Sequence, residues 1–285
     1  MMLFKPTLFT TLALYLLAIT LTLTLIPTLV QAHTGLSNPC GRYQEAAGCP
    51  APPPGQVVDV DINSPIGTNL RINQPLCKTS IPYPFSSRTI YKAGDTIQTA
   101  YSIGSAHGGG HCQWALSYDG EKTWVVIKTM IRTCLQVTPG TETNYRIPVL
   151  LPKDLPSGNV TFMWLWYNAI GDRELYSNCA DIRVEGSDGG SVKGLAPLIA
   201  NYGSGYPAFV NEFPNATDPD GSELFDTRPA VTIQVKGSGA TVSGTSSGTA
   251  PVPTGSNQPS FGSRIASGSP LSLSIAFAAS FYLFH

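Results

Sequence analysis

Charge is scarce in this sequence: 12% of its 285 residues are Asp, Glu, Lys or Arg, about half the roughly 25% of an ordinary soluble domain. The balance is even as well, with 17 basic against 18 acidic side chains. There is therefore no cationic excess to track a phosphate backbone, and nucleic acid is excluded as a partner class. Histidine is rarer still, at four. No two of the six cysteines have the CxxC spacing of a zinc ribbon or a redox dithiol, and no stretch keeps helical periodicity over three turns. What is present is 42% hydrophobic residues, with 28 Gly and 24 Pro. That is too apolar for a disordered tail and gives a prior of one domain or two.

The apolar residues crowd both ends. After Lys5 the chain runs through Leu8, Phe9, Leu12, Leu14, Leu16 and Leu17 to Ile26, then meets Pro27 and Val30-Gln31-Ala32. A basic start, an apolar run, a helix breaker and small residues before a cut describe a secretory signal peptide over 1–32, cleaved after Ala32. The alternative is an uncleaved anchor, since the run approaches the roughly 18 residues that span a bilayer. Leu271 to His285 is apolar, lacks Lys and Arg, and follows a spacer of small polar residues from Gly255. It resembles a glycosylphosphatidylinositol attachment signal over 263–285, with the lipid joined between Gly255 and Ser263; a short retained tail anchor is the alternative. The expected location is extracellular, on the cell surface, with membrane contact only through the lipid. In that oxidising compartment Cys40, Cys49, Cys77, Cys112, Cys134 and Cys179 form three disulfides, and the sequons at Asn159 and Asn215 are glycosylation candidates.

Between the ends, 33–186 reads as short strands separated by turn residues. Gln113 to Tyr118 and Thr123 to Lys128 flank Asp119-Gly120, a hairpin signal. Val160, Phe162, Trp164 and Trp166 alternate with Thr161, Met163, Leu165 and Tyr167, which predicts a strand buried on both faces. Thr96 to Ile103 and Asp181 to Val184 are further strands. The class is all-β, a sandwich with long loops. Residues 187–236 keep aromatics among Pro, Gly and Asp and read as an extension packing back on the sandwich. From 237 to 262 the Ser, Gly, Thr and Pro content is that of a flexible stalk.

Removal of both terminal signals leaves three histidines, His33, His107 and His111. An N-terminal His chelates a metal with its amine and its ring Nδ1, and a second imidazole completes three nitrogens in a T that suits Cu(II) better than Zn(II) or Mg(II). The amine has a reference pKa of roughly 7.7 to 8.0, so a metal displaces its proton near neutrality.

Ala106-His107-Gly108-Gly109-Gly110-His111-Cys112-Gln113 admits three readings. His-Gly-Gly-Gly is similar to an esterase oxyanion loop, and Gly244-Thr245-Ser246-Ser247-Gly248 matches a nucleophile elbow. That match fails because Ser246 lies in a stalk and only His285 follows it. The spacing of His107 and His111 matches a zincin helix, but three intervening glycines cannot hold a helix and no Glu accompanies them. The third reading is an open loop that exposes His107 beside the chain start, as a metal site facing a solid polymer requires.

His33, the 106–113 segment followed by Leu116-Ser117-Tyr118-Asp119, and the run from Trp164 to Cys179 (WLWYNAIGDRELYSNC) together resemble the fungal lytic polysaccharide monooxygenases of auxiliary activity family eleven. The resemblance covers residues 77 to 184 plus His33. It implies an immunoglobulin-like sandwich, and one copper ion held by the amine and ring of His33 and the ring of His107, with the Tyr176 phenol in the axial position. Glu174 would be the acid that hydrogen-bonds bound oxygen species. Read without the resemblance, Tyr176 is a core tyrosine and Glu174 a solvated charge, although two residues apart on an extended segment they point to one face. The resemblance also implies Cys77 paired with Cys179, Cys112 with Cys134, and Cys40 with Cys49. Arg173 either orients Glu174 or solvates a loop.

Two features depart from the family pattern. The stretch from Gly35 to Ile62 does not follow it, and His111 stands where related sequences carry a small polar residue. His111 reads first as a surface residue, with a supporting donor or a weak extra metal site as alternatives. The expected partners are an insoluble polysaccharide, chitin first, with an external reductant and hydrogen peroxide or dioxygen, acted on by a monomer. The competing class is a non-catalytic surface protein that binds copper or cell-wall polysaccharide.

Overall fold

The computed structural model describes residues 33–138, 140–237 and 243–246. The signal peptide expected over 1–32, the attachment signal expected over 263–285 and most of the expected stalk lie outside the described residues. The described residues form twelve strands in order: β1 Thr34–Asn38, β2 Gly67–Thr68, β3 Thr89–Lys92, β4 Thr96–Ile103, β5 Gly110–Ser117, β6 Val125–Cys134, β7 Arg146–Leu150, β8 Gly158–Asn168, β9 Glu174–Glu185, β10 Gly190–Leu195, β11 Ala230–Val235 and β12 Ser243–Ser246. The helical content of the described residues is three single 3-10 turns.

One sheet has three strands in the order β1-β4-β7; the other has nine, ordered β12-β11-β10-β6-β5-β8-β9-β2, with β3 parallel to β9. The outer side of β9 is covered by β2 at its start and β3 at its end, which protects an edge that would otherwise present unpaired backbone groups. The predicted all-β sandwich is what the chain forms, and the expected strand at Thr96 to Ile103 is β4.

The alternation in β8 explains the layering. Phe162, Trp164 and Trp166 point into the core between the sheets, with Leu36, Ile97, Tyr101, Trp114, Val149 and Tyr176. Met163, Leu165 and Tyr167 point the other way and join Leu198, Ala200, Tyr202, Val210, Phe213 and Phe225. The second face of the large sheet is thus covered by the 196–225 part of the extension. Each large apolar side chain so buried contributes about 1.5–3 kcal/mol, which anchors a segment that has little regular structure of its own. The extension also supplies β10 and β11, and β11 pairs with β12 inside the stretch expected to be stalk, where Ser246 lies opposite Val231.

The three disulfides are Cys40–Cys49, Cys77–Cys179 and Cys112–Cys134, the pairing that the resemblance implies. The Asp119-Gly120 hairpin is altered. Asp119 Oδ1 accepts from Ser117 Oγ at 2.8 Å and from the Thr123 N–H at 2.9 Å. Both Gly120 and Glu121 have positive φ, 70° and 72°. The turn carries Glu121 Oε1 to within 2.5 Å of the Arg42 guanidinium, and the pairing between β5 and β6, Gly110 with Thr133, is parallel where the hairpin reading expected antiparallel strands. A pull from a buried guanidinium outweighs the local preference for a two-residue turn.

Candidate metal centre

His33 stands at the open end of the β1-β4 ladder, where Thr34 pairs with Ile103. Its carbonyl accepts from the Gly104 N–H at 2.8 Å, and Thr34 Oγ1 donates to the Ser105 carbonyl at 2.8 Å. The segment that leads to His107 therefore leaves β4 beside the His33 backbone.

From His107 the backbone stays at positive φ through Gly110, at 45°, 74°, 89° and 152°. Non-glycine residues rarely adopt such values, and at Gly110 a Cβ would lie 2.0 Å from the Tyr167 carbonyl oxygen. Glycine is required there by close backbone approach. The Ile170 N–H donates to the His107 carbonyl and the Ala169 N–H to the Gly109 carbonyl, both at 2.9 Å. The His107 ring is half-buried and tilts against Trp166, with ring centres 6.0 Å apart.

Trp166 of β8 is paired across the sheet with Tyr176 of β9, their rings 4.6 Å apart. The Tyr176 hydroxyl donates to Glu174 Oε2 at 2.7 Å, so the two side chains share one face of β9, as their spacing predicts. Burial first, and then the Glu174 carboxylate, push the Tyr176 phenol far above its ordinary pKa. It stays a neutral O–H donor at any physiological pH. Trp166 was not among the site residues expected from sequence, although its place in the alternation of β8 is the signal that leads to it.

His107, Trp166, Tyr176 and Glu174 thus form one connected group, and the backbone of His33 enters beside the loop that carries His107. Two imidazoles and a phenol, together with an amine if the chain starts at His33, are mixed nitrogen and oxygen donors of the kind that suit tetragonal Cu(II). Among the described residues there is no group of three or more His, Cys, Asp or Glu that could hold a metal; the candidate ligand set is of a different composition. Arg173 does not contact Glu174 through a hydrogen bond. Its guanidinium donates to the carbonyls of Gly171, Asn168 and Asn211. Asn159 and Asn215 are both exposed.

His111 is not at the surface: it is fully buried. Its ring stacks on Phe213 at 4.6 Å and meets the edge of Phe225 at 5.2 Å. Nδ1 accepts from the Arg132 N–H at 2.9 Å, which leaves Nε2 to donate to the Asp220 carbonyl at 3.0 Å. The apolar extension over this face of the sheet overrides the exposure expected of a residue next to three glycines.

Burial lowers the His111 pKa despite the Asp220 carbonyl and carboxylate, with Arg132 adding to the fall and Glu223 opposing it. The unfolded chain therefore takes up the proton first. The stability of a neutral buried His is fully present above about pH 6.5 and is lost as pH falls from there through the folded pKa. A His111→Asn variant, neutral throughout, is expected to be less stable at pH 7, with the gap narrowing towards pH 5 in urea unfolding. A gap independent of pH would refute it.

No profile of a known protein family matches the chain. It is 36% identical over 156 residues to AA11 family lytic polysaccharide monooxygenase A of Aspergillus fumigatus, a match covering 53% of this chain and 68% of that protein. Two further relatives are 29% identical: AA11 family lytic polysaccharide monooxygenase B of A. fumigatus, over 175 residues and 40% of its length, and an AA11 family lytic polysaccharide monooxygenase of A. oryzae, over 198 residues and 46% of its length. These matches cover 54% and 61% of this chain. The crystal structure of HiLPMO9B overlaps 56% of this chain and 72% of its own at a TM-score of 0.30 and 14% identity, too distant to bear on fold or site.

Proposed function

The chain belongs to the AA11 family of lytic polysaccharide monooxygenases, and from that premise we propose that it is a secreted, surface-anchored copper enzyme that breaks the glycosidic bonds of chitin by oxidation. The observation that carries the proposal is the Tyr176–Glu174 pair, 2.7 Å apart, joined through Trp166 to the His107 loop.

One copper ion would be held by the amine and ring of His33 and the ring of His107, with the Tyr176 phenol oxygen as a further donor. Copper supplies the one-electron chemistry by which dioxygen or hydrogen peroxide oxidises a carbon beside the glycosidic oxygen. With dioxygen the insertion of one oxygen atom consumes two electrons from an external reductant and two protons and releases water; with hydrogen peroxide it releases water alone. The hydroxylated carbon then expels the glycosidic oxygen, and the chain breaks.

The protein's own groups do the rest. Cleavage after Ala32 creates the amine ligand. The positive φ run from His107 to Gly110 presents the ring at the surface. Tyr176 remains a neutral phenol that donates its O–H to Glu174 Oε2, which orients the carboxylate, a group that could there hold or pass a proton.

The mature protein, loaded with copper and given reductant, is expected to release oxidised oligosaccharides from chitin, read by mass spectrometry. Their absence from chitin, cellulose and β-glucan alike would end the proposal. Glu174→Gln separates an enzyme from a protein that only binds copper. It should keep copper binding and lower the oxidation rate by about a hundredfold or more, the usual contribution of a positioned acid or base.

A further inference from the structure

The extension does more than cover the sheet. We propose that residues 211–213 position the His107 ring, by bracing the turn from Asn168 to Arg173 that packs against it. The inference rests on the proposed function in that His107 is there a copper ligand.

The contacts run in an unbroken series. His111 stacks on Phe213, and the Phe213 N–H donates to the Ala169 carbonyl at 2.9 Å. Next along the extension, Glu212 Oε1 accepts from the Gly171 N–H at 2.9 Å. The Asn211 carbonyl accepts from the Arg173 guanidinium at 3.0 Å, and that same guanidinium holds the carbonyls of Asn168, at 2.9 Å, and Gly171, at 2.7 and 3.1 Å. Inside the turn, Asn168 Nδ2 donates to the carbonyls of Ile170 and Asp172, each at 2.9 Å. Three contacts from neighbouring extension residues thus converge on one short turn.

That turn is what the His107 ring rests on. Ile170 and Ala169 hold the backbone of the His107 loop. Gly171, at φ 101°, comes so near that a Cβ on it would lie 3.3 Å from His107 Nδ1. The loop from His107 to Gly110, three of whose four residues are glycine, has little intrinsic stiffness, so its rigidity has to come from the neighbours that bond it. Arg173, which closes the turn, and Glu212, which bonds to it, are positioning residues: they brace the turn, and the turn touches the ligand. The partners that support a ligand's orientation ordinarily matter for metal affinity.

Glu212 is exposed, so its replacement does not threaten the core. In the metal-free protein, Glu212→Ala should shift the His107 ring signals in NMR spectra. In the copper-loaded protein it should change the Cu(II) hyperfine splitting and weaken copper binding about tenfold. Glu212→Gln keeps a carbonyl oxygen for the Gly171 N–H and should restore the ring signals, the hyperfine splitting and the copper affinity. Wild-type ring signals and hyperfine splitting in Glu212→Ala would overturn the inference, as would a Glu212→Gln variant perturbed as much as Glu212→Ala. Failure of the copper reading looks different: the wild-type protein would take up no copper, or take it up equally well as His107→Ala, while the ring shift in the metal-free Glu212→Ala protein would still be present.

Discussion

One alanine added ahead of His33 in the mature protein is expected to abolish oxidative cleavage while the fold survives. The amine of residue 33 would become a peptide nitrogen, which keeps its proton unless a metal displaces it, so the T of three nitrogens built on the His33 amine would be lost. The folded scaffold has little reason to change. His33 is half-buried at the end of the β1-β4 ladder, and its bond to Gly104 uses the carbonyl, which the addition leaves intact. Copper affinity should drop by more than about 100-fold, beyond the 10–100-fold typical of residues that only support a ligand, and the melting temperature of the metal-free protein should stay the same. Titration calorimetry of the two forms reads the first quantity. Equal copper affinity with undiminished release of oxidised sugar would remove the amine from the proposed ligand set, and N-terminal sequencing of the secreted protein that found a terminus other than His33 would do the same.

What the sequence could reveal about this site follows from which forces are local. Glu174 and Tyr176 sit on one face because a strand alternates with period two, and that needs no knowledge of the rest of the molecule. The glycines after His107 likewise announce a backbone that no helix or ordinary strand could accept. The two-sided burial of β8 was legible in its unbroken apolar alternation, but what lay on its second face was not. The cover is an irregular segment from 196 to 225 whose aromatics have no periodicity, so nothing in the local pattern links Phe213 to His111. The misplacement of His111 and the open role of Arg173 have that same origin. Both residues act on the extension, one by stacking on Phe213 and one by bonding Asn211. Only the folded chain brings them together. The Asp119-Gly120 turn shows the converse case, in which a strong local signal yields to a long-range ion pair between Glu121 and Arg42.

That ion pair belongs to a network with the largest expected effect on stability. The side chains of Arg42 and Asp181 are 1% and 0% exposed. Asp181 accepts from Arg42 Nε and Nη2 at 2.8 and 2.7 Å and from the Tyr83 N–H at 2.7 Å. Arg42 also donates to the Thr79 carbonyl at 2.8 Å, so the guanidinium ties the irregular 39–83 region to β9. Burial lowers the Arg42 pKa, but the Asp181 carboxylate, with Glu121 adding to it, raises it on balance. Asp181→Ala would leave a buried guanidinium with Glu121 as its remaining charged partner. Removal of one member of such a pair is expected to destabilise the protein by about 3–5 kcal/mol, read as a lower denaturation midpoint. Replacement of both by apolar residues, Arg42→Met with Asp181→Leu, should recover much of that loss, because two desolvated charges attract each other by little more than burying them consumes. Glu121 limits the recovery. Burial already raises its carboxyl pKa and Arg42 holds it down. In the double variant the larger restraint from Arg42 goes together with the smaller opposing push from Asp181, so the Glu121 carboxyl, already raised in the wild type, is raised further. The double variant should therefore gain stability relative to wild type as pH falls through the ordinary carboxylate range and lose it as pH rises. A deficit below about 1 kcal/mol for Asp181→Ala, the value of an exposed pair, would mean that water reaches the guanidinium and that the clamp on β9 is not a buried one.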